Sequence, residues 1–470
     1  MWLSLLRPPE TSSSVRAGFR PAAALAWAAF LALVASASGG PAPAAAASDP
    51  LPRRTFLGVE LAPVPDSIRA LAGLAEHEGV WIRGVVPGCS AAEAKLPAEA
   101  ILLAIDGRPV GDAGAVVEAL RPVPAGRTVH LELLRDGARL SHPVLLRELP
   151  RESSPDFEVV YGSVEVDGAR FRTILTRPPG GGRHPAFYVV QGLGCFSVDN
   201  PLRPGAYGTL LGELTRRGYA TFRVDKPGTG DSEGGPCPDV DFQQELRVYD
   251  AALAALRRTE GIDPERIFLF GHSMGGIMAP LLLRQEPVRG AIVYGTTFRN
   301  WMEYELENLR RQLRLGGTGP AEVEEAMADA RLFNALFYPL RWTPGRIVRE
   351  HPQFADDWPD TLHLHAGKTY RYFHQLYELN LAQLWGGTDA HVLAIHGTSD
   401  FVTSPVDHEA IAEAVNHAQP GKGTYLELEG TDHWLHLAAT PELSLASGGQ
   451  GEFNGRFVEE IDRWMRGVVP

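Results

Sequence analysis

A serine in the middle of the chain has a sequence context typical of nucleophilic catalysis. Ser273 lies in the stretch FGHSMGG, with one glycine two positions before it and another two positions after it. A serine hydroxyl is a weak nucleophile near neutral pH, so it requires a histidine as a base and a carboxylate that orients this histidine. Because the chain contains 50 glycines, the same spacing also arises by chance, and the flanking elements must decide whether Ser273 reacts.

The segments on either side of Ser273 have the apolar composition of a buried strand and a buried helix. The serine follows RIFLF and precedes GGIMAPLLL, an order that predicts a strand–turn–helix unit. Small residues in such a turn permit a strained backbone that exposes the hydroxyl, an arrangement called the nucleophile elbow. With this unit, the region from Phe157 to Pro470 resembles the α/β-hydrolase superfamily. The resemblance implies that Ser273 is the nucleophile of an enzyme.

The resemblance also implies an acid and a base, in the chain order serine, acid, histidine. Asp400 follows the strand-like segment AHVLAIHG, where the superfamily carries its acid, and His433 lies in the sequence GTDH. Some members carry the acid after an earlier strand, but the corresponding segment here, YGTTFRN, contains no Asp or Glu. His436 is an alternative base that lacks the flanking motif. We therefore predict a catalytic triad of Ser273, Asp400 and His433.

Backbone amides are expected to stabilise the oxyanion that forms when the serine attacks a carbonyl group. The resemblance implies that one donor is the N–H of Met274, directly after the nucleophile. The second donor is expected from QGLGCF, which is similar to the superfamily's His-Gly loop with Gln191 in place of the histidine. Leu193 is the predicted donor in this segment. Because a backbone N–H performs this function, the Gln191 replacement leaves the donor intact.

Strand-like and helix-like segments alternate from Phe157 to the C-terminus. The strand-like segments include AFYVVQ, YATFRVD, RIFLFG and GAIVYG, and helical segments separate them. This alternation predicts a mainly parallel sheet with helices on both faces. The roughly one hundred residues between GAIVYG and HVLAIHG are too many for one crossover. Residues 298–385 therefore resemble a helical cap over the active site.

The segment from residue 55 to residue 147 has a different pattern, in which apolar and polar residues alternate. This period of two predicts β-strands, and Asp136-Gly137 predicts a hairpin turn. The segments FLGVEL, VVPGCSAAEAKL and ILLAIDGRPV resemble successive parts of a PDZ domain of the type attached to bacterial periplasmic proteases. The predicted fold class is therefore an α/β-hydrolase domain, residues 157–470, preceded by a small β-rich domain. Residues 148–156 are polar, contain two prolines and are predicted to be a linker.

The PDZ resemblance implies a binding site for the C-terminus of a peptide. In that family the backbone amides around Leu57, Gly58 and Val59 would receive the terminal carboxylate, while the peptide adds a strand to the edge of the sheet. Glycine at position 58 suits this function because it has no side chain to block a close approach. The alternative is a domain that only packs against its neighbour and binds no peptide.

The first residues of the chain carry the pattern of an export signal. Arg7, Arg16 and Arg20 precede an apolar run at residues 22–35, and small residues follow this run. We predict a signal peptide and small-residue leader over residues 1–47, and therefore a secreted protein of the periplasm. A retained membrane anchor is the alternative, although an apolar run of about fourteen residues is shorter than the roughly 20 residues that span a bilayer.

The composition restricts the class of partner. The formal net charge of −13 offers no basic surface to nucleic acid, so a small molecule or a peptide is the expected substrate. A length of 470 residues predicts more than one domain. The spacing of the three cysteines does not match a metal site, and we expect neither a metal nor a cofactor.

Two of the three cysteines are predicted to form a disulfide bond. In the α/β-hydrolase fold the loops that contain Cys195 and Cys237 follow neighbouring strands and emerge at the same edge of the sheet, and export permits oxidation. The pairing requires a Cα separation of about 4.4 to 6.8 Å and leaves Cys89 free. The alternative is two buried thiols that act as small apolar residues.

Together these features predict an exported serine hydrolase that cleaves a carboxylic ester through an acyl-enzyme intermediate. The same triad cleaves amides and thioesters, so a serine peptidase or a thioesterase is an alternative, and a PDZ domain would suit the delivery of peptides. A non-catalytic receptor that keeps the hydrolase fold for binding is a third interpretation. The complete triad argues against this receptor.

Overall fold

The computed structural model describes residues 50–199, 201–202, 205–357 and 364–468. These residues form an N-terminal and a C-terminal domain, each with its own sheet and its own hydrophobic core. The predicted leader, residues 1–47, lies outside the described residues. In the part of the chain that is described, no helix is both long enough and apolar enough to cross a membrane.

The N-terminal domain is a small antiparallel sheet with three short helices. Its main sheet has the strand order β2-β3-β4-β6-β7, β5 pairs with β4, and β1 pairs with β8 near the two ends of the domain. Its elements are β1 (Thr55–Phe56), β2 (Val59–Ala62), α1 (Asp66–Ala72), β3 (Val80–Val85), α2 (Ser90–Glu93), β4 (Ala100–Ile105), β5 (Arg108–Pro109), α3 (Ala113–Leu120), β6 (Thr128–Arg135), β7 (Ala138–Leu145) and β8 (Arg147–Glu148).

The period-two pattern of this domain produces its core. Val129, Leu131 and Leu133 alternate along β6 and are fully buried, because alternate side chains of a strand lie on one face of the sheet. The predicted hairpin turn joins β6 to β7, with Asp136 and Gly137 both at positive φ. Positive φ at both central residues is what a type I′ turn requires, so the turn prediction is confirmed.

The C-terminal domain contains the predicted mainly parallel sheet. Its eight strands have the order β18-β17-β14-β13-β11-β12-β10-β9. The six strands from β18 to β12 in this order run parallel, and β10 and β9 are antiparallel at one edge. Buried side chains of α5, α6 and α12 cover one face of the sheet, and those of α4 and α14 cover the other.

The elements of this domain before the insertion are β9 (Glu158–Val166), β10 (Ala169–Arg177), β11 (His184–Val190), α4 (Gly205–Arg216), β12 (Ala220–Val224), α5 (Phe242–Arg257), β13 (Ile262–His272), α6 (Met274–Gln285) and β14 (Gly290–Tyr294). The insertion contains α7 (Trp301–Leu315), α8 (Pro320–Phe337), α9 (Pro344–Glu350), β15 (Leu364–His365), β16 (Lys368–Thr369), α10 (Tyr370–Tyr377) and α11 (Leu381–Gly386). The chain ends with β17 (His391–Gly397), α12 (Pro405–Ala418), β18 (Gly423–Leu428), α13 (Pro441–Ser447) and α14 (Arg456–Val468).

The mostly helical insertion occupies the range predicted as a cap and has two different parts. α7 supplies Trp301 and Tyr304 to the wall of a large cavity. α10 instead packs against the body of the domain, where Tyr372 lies edge-on to Phe242 of α5, and Trp385 of α11 is completely buried. The insertion therefore both lines the cavity and extends the core.

The segment predicted as a linker is held against the C-terminal domain. Arg53 donates to the backbone oxygens of Leu149 and Pro150, and its guanidinium also contacts Asp199 and Asp231 of the C-terminal domain, at 2.5 and 2.6 Å. All three charged side chains in this contact are buried. The two domains are therefore joined by a buried ion-pair network in addition to the chain itself.

Candidate active site

Ser273 occupies the turn between β13 and α6, at the carboxyl edge of the parallel strands. Its φ of 55° and ψ of −119° are costly for any residue with a side chain, as expected of a nucleophile elbow. Gly275 makes the turn possible, because a Cβ at this position would lie 2.1 Å from the carbonyl oxygen of Val190. The strand–turn–helix geometry predicted around Ser273 is present.

Asp400 and His433 approach each other on the loops that follow β17 and β18. His433 Nδ1 lies 2.9 Å from Asp400 Oδ2, and the carboxylate also accepts hydrogen bonds from the Thr403 hydroxyl and the Val402 amide. Burial opposes ionisation of Asp400, but the contact with His433 outweighs it and holds the pKa of this carboxyl well below its ordinary value. An ionised Asp400 accepts a hydrogen bond from Nδ1–H of His433 and leaves Nε2 free to act as a base.

Ser273 and His433 line one cavity with a volume of about 1260 Å³, and Asp400 is buried behind the histidine. The structure therefore brings the three predicted triad residues together. The alternative base His436 also borders this cavity, but its Nδ1 donates to the carbonyl oxygen of Gly449 at 2.8 Å. His436 therefore stabilises the loop in which it lies, whereas His433 is the histidine that contacts Asp400.

The segment after β11, residues 191–196, is called the oxyanion loop below and lies directly against Ser273. A Cβ placed on Gly192 would be 3.1 Å from Ser273 Cβ and 3.6 Å from its Oγ. Leu193 and Met274 both line the cavity beside Ser273, and the Met274 amide belongs to the first turn of α6, where N–H groups have no partner within the helix. Both predicted oxyanion donors are therefore close to the nucleophile.

Gln191, which replaces the histidine of the superfamily's loop, is completely buried. Its amide nitrogen donates to the carbonyl oxygen of Phe196 at 3.2 Å, and its side-chain oxygen accepts a hydrogen bond from the Tyr249 hydroxyl at 3.3 Å. Gln191 thus joins the two ends of the oxyanion loop and ties the loop to α5.

The predicted disulfide between Cys195 and Cys237 is confirmed, with a Cα separation of 5.8 Å. It connects the oxyanion loop to the segment after β12, and Cys195 borders the cavity. Cys89 is a free, buried thiol in the N-terminal domain, as predicted.

His272 makes a contact that sequence reasoning missed. Burial lowers the pKa of His272 to about 3, so the imidazole is neutral and has one donor and one acceptor nitrogen. Nε2 donates to the carbonyl oxygen of His433 at 2.8 Å, and Nδ1 accepts from the Tyr207 hydroxyl at 2.6 Å. The residue before the nucleophile therefore supports the loop that carries the base. The only signal in the sequence was a polar residue at the end of an apolar strand.

The cavity wall combines residues of both domains. Asp112 and Gly114, at the start of α3 in the N-terminal domain, border the same cavity as Ser273. Most of the other described lining residues are apolar or neutral, and the buried hydroxyls of Thr296 and Thr297 have no hydrogen-bond partner among the described residues. Among the described lining residues, Asp112 is the one carboxylate, and no lysine or arginine is present. The sequence did not predict that the N-terminal domain reaches the cavity.

The predicted peptide-binding residues lie at the start of β2, which is an edge strand of its sheet. The carbonyl oxygens of Leu57 and Gly58 accept hydrogen bonds from the amides of Ala91 and Val86, both at 2.9 Å. Glycine at position 58 also has a reason inside the domain. Gly58 has a φ of 79°, and a Cβ there would lie 2.0 Å from Cys89 Sγ, so packing within the domain excludes a side chain, and the close approach of a peptide stays a prediction.

Family models match both parts of the chain. The model described as "Serine aminopeptidase, S33" matches residues 204–437, and the model described as "PDZ domain" matches residues 81–135. The chain belongs to the α/β-hydrolase superfamily and has an N-terminal PDZ domain. No group of three His, Cys, Asp or Glu residues in the described ranges is arranged to hold a metal ion.

Two known proteins are similar to parts of this chain. Esterase EstD of Thermotoga maritima is 24% identical over 298 residues, which cover 62% of this chain and 64% of EstD. Magnetosome formation protease MamE of Paramagnetospirillum magneticum is 28% identical over 211 residues, which cover 45% of this chain and 27% of MamE. The chain thus spans less than two thirds of the length of either relative. A solved structure, Est1E from Butyrivibrio proteoclasticus, is 14% identical with a TM-score of 0.41 and covers 66% of this chain and 99% of its own.

Proposed function

We propose that the protein is an exported hydrolase that cleaves a carboxylic ester, with Ser273 as nucleophile, His433 as base and Asp400 as the orienting acid. The hydrogen bond of 2.9 Å between His433 and Asp400 supports this assignment. The shared cavity of Ser273 and His433 also supports it. Fixing the histidine by a carboxylate is what makes a serine hydroxyl reactive near neutral pH.

In the proposed mechanism Ser273 Oγ attacks the carbonyl carbon of the ester while Nε2 of His433 accepts the hydroxyl proton. The negative charge that develops on the carbonyl oxygen is stabilised by the N–H groups of Leu193 and Met274. His433 then donates its proton to the leaving alcohol, and an acyl-Ser273 intermediate remains. Water, activated by His433 in the same way, attacks this intermediate and releases the carboxylic acid.

The neutral lining of the cavity is the observation that favours an ester as the substrate. An aminopeptidase substrate has a free ammonium group, and burying this group without a negative partner costs several kcal/mol. Asp112 is the one carboxylate among the described lining residues. It is exposed, and its Oδ1 already accepts a hydrogen bond from the Ala115 amide as the cap of α3. An uncharged ester therefore fits this cavity better than a peptide N-terminus.

Hydrolysis of peptides within the same cavity is the second candidate. The contribution of Asp112 and Gly114 to the cavity wall favours it, because these residues belong to a domain whose family binds peptides. A thioester is cleaved by the same chemistry, so it belongs with the esters in any test.

Location in the periplasm is part of the proposal. The export pattern in residues 1–47 supports it, and so does the disulfide between Cys195 and Cys237, since disulfides persist mainly in oxidising compartments. Cell fractionation of the full chain with a C-terminal epitope is expected to recover a processed, soluble form in the periplasmic fraction. An unprocessed form that stays with the membrane fraction would favour the retained anchor.

For the PDZ domain we propose weak binding of extended peptides with apolar C-termini at Leu57, Gly58 and Val59. The edge position of β2 supports strand addition there. The full chain is titrated with a library of free C-terminal peptides while the amide signals of these three residues are monitored. Shifts confined to the β2 edge are expected, and amidated copies of the same peptides serve as the control. Identical responses to both forms would contradict carboxylate recognition.

A substrate panel tests the choice of reaction. Purified full chain is assayed with p-nitrophenyl esters of increasing acyl length, the matching thioesters, aminoacyl p-nitroanilides and short peptides. We expect the largest kcat/KM with an uncharged ester and stoichiometric labelling of Ser273 by a fluorophosphonate probe. If aminoacyl anilides are the best substrates, the protein is a peptidase, and if the probe leaves Ser273 unmodified, the receptor interpretation replaces the enzyme.

A further inference from the structure

Lys226 is buried behind the oxyanion loop, on the side away from the cavity. It lies in the turn after β12, and its side chain is fully excluded from solvent. Its ammonium group donates a hydrogen bond of 2.5 Å to the carbonyl oxygen of Gly192. The mechanism proposed above does not use this lysine.

The charge of Lys226 is balanced by a carboxylate that is shared with a second lysine. Glu245 of α5 lies 2.9 Å from the Lys226 ammonium through Oε1 and 2.9 Å from the Lys368 ammonium through Oε2. Burial lowers the pKa of Lys226 and opposes ionisation of Glu245, yet the two ammonium groups hold the pKa of Glu245 below its ordinary value. The carboxylate acts against this lowering, and both groups that contact the Lys226 nitrogen are acceptors, an arrangement that suits an ammonium group placed directly against the Gly192 carbonyl group.

The contact at Gly192 determines where the neighbouring amide points. The carbonyl of Gly192 and the N–H of Leu193 belong to one planar, trans peptide group, in which these two bonds are directed oppositely. Lys226 fixes the carbonyl on the interior side of the loop. Gly192 and Leu193 also lie along the cavity wall next to Ser273. The Leu193 N–H is therefore directed away from Lys226 and toward the cavity.

We propose that Lys226 is a positioning residue of the oxyanion hole: it fixes the Gly192–Leu193 peptide group, aims the Leu193 N–H at the oxyanion and polarises that N–H with its charge. A cation bound to a carbonyl oxygen draws electron density through the peptide group and makes the N–H a stronger donor. The benefit is largest when the oxyanion forms, so it lowers the barrier to reaction and does not strengthen substrate binding. This inference rests on the proposed ester hydrolysis.

A purely structural role would not require a charge at this position. Replacing a buried ion pair by apolar groups of similar volume is often neutral or stabilising. Lys368 provides a matched comparison, because it contacts the same Glu245 at the same distance but is bonded to the carbonyl oxygen of Cys237 and not to Gly192. A loss of function that is specific to Lys226 therefore reports on the oxyanion loop.

The test compares Lys226→Met with Lys368→Met in the full chain, using the best ester of the substrate panel. For Lys226→Met we expect kcat to fall on the order of 100-fold with KM nearly unchanged, as for the loss of one oxyanion donor. For Lys368→Met we expect kcat to stay within about threefold of wild type, although both variants lose a buried ammonium and a similar amount of stability. Lys226→Gln, which keeps a donor but loses the charge, replaces Lys226→Met if that variant does not fold.

A second measurement tests the positioning role of Lys226 without an activity assay. The Leu193 amide, observed by selective leucine labelling, is expected to change its chemical shift and exchange faster with solvent in Lys226→Met but not in Lys368→Met. Equal losses of kcat in the two variants, or an unchanged Leu193 amide in Lys226→Met, would overturn the positioning role. A wild-type protein that neither hydrolyses esters nor reacts with a fluorophosphonate refutes the proposed function instead, and the Leu193 amide still decides whether Lys226 positions the loop.

Discussion

The protein has two loops that are proposed to present backbone amides to an anion. In each loop, different contacts hold the carbonyl groups on the side away from the anion. In the PDZ loop, residues 57–59, neighbouring backbone amides of the same small domain hold the carbonyl groups. In the oxyanion loop, a buried ammonium holds the Gly192 carbonyl group, and a disulfide fixes Cys195. Both arrangements use one principle: a carbonyl group that is fixed on one side directs the next N–H to the other side.

The difference between the loops corresponds to the difference between their proposed ligands. A peptide carboxylate carries its charge before it binds, so neutral amides in a fixed geometry suffice for the weak binding proposed. An oxyanion exists only during the reaction, and its stabilisation must exceed that of the ground-state carbonyl oxygen. A fixed cation behind the donor provides this added stabilisation. The comparison suggests that catalysis, and not anion binding as such, requires the buried charges around Gly192.

The largest expected effect separates the functions of the two loops. Ser273→Ala is expected to lower the ester kcat on the order of 10⁶-fold if serine and histidine act as one unit, while binding of a C-terminal peptide to the PDZ loop is unchanged. Ester turnover and the peptide titration are measured on the same preparation. Ser153→Ala, in an exposed position of the segment between the domains, is the matched control. Retained hydrolysis in Ser273→Ala would contradict the mechanism.

The next effect tests the covalent restraint of the oxyanion loop. The double variant Cys195→Ala, Cys237→Ala opens a loop with a sequence separation of 42, and it is expected to lose on the order of 3 to 4 kcal/mol of stability in the chain-entropy model. Denaturant unfolding of the full chain is the measurement. Reductant should destabilise the wild type by the same amount and leave the double variant unaffected. Equal reductant sensitivity of the two proteins would show that the disulfide does not restrain the native chain.

A smaller effect tests the backbone restraint of the PDZ loop. Gly58→Ala is expected to lower the stability of the PDZ domain by about 2 to 3 kcal/mol, because a side chain at positive φ is combined with a clash against Cys89. Gly137→Ala is the matched control, since Gly137 has a φ of 76° but open space around its Cα. Hydrogen exchange within residues 55–147 should therefore increase more in Gly58→Ala. Equal increases would show that the contact with Cys89 contributes nothing.

The smallest effect concerns the buried histidine His408 of the hydrolase domain. Burial lowers the pKa of His408 to about 4, so between about pH 4 and pH 6.5 the unfolded chain binds a proton that the folded domain excludes. The stability associated with His408 is fully present above pH 6.5 and is lost as the pH falls. His408→Gln should reduce the slope of unfolding free energy against pH by at most about 1.4 kcal/mol per unit. An unchanged slope would indicate that His408 is protonated in the folded domain.

Much of the fold followed from local sequence patterns. The alternation of apolar and polar residues predicted the strands of the N-terminal domain. Segments such as AFYVVQ predicted strands of the C-terminal sheet, where β11 contains most of that segment. The elbow around Ser273 was predictable because its glycines and its flanking apolar segments are adjacent in the chain. Asp400 and His433 were also predictable from short motifs, since each follows a recognisable strand.

Contacts between distant residues were harder to predict. Neither the partners of Lys226 nor the support that His272 gives to the loop of His433 appears in a local motif. Asp112 and Gly114 line the cavity because of the way in which two domains with separate hydrophobic cores pack against each other. Buried ion pairs that join sequence positions as distant as Arg53 and Asp231 fix this arrangement. The packing reason for Gly58 could not be predicted, because the residue that excludes a side chain there, Cys89, is far away in sequence and becomes a neighbour only after folding.

The sequence by itself determined which residues can act, because nucleophile, acid and base need particular side chains, and the elbow needs glycines at fixed local spacings. Only the tertiary structure decided how these residues are supported. The direction of the Leu193 amide depends on a lysine from another loop, a glutamate from α5 and a disulfide, and the charge of the cavity depends on which side chains two domains turn toward it. Such features are set by the packing of elements that are far apart in the chain, where burial strengthens electrostatic interactions that a sequence pattern does not record.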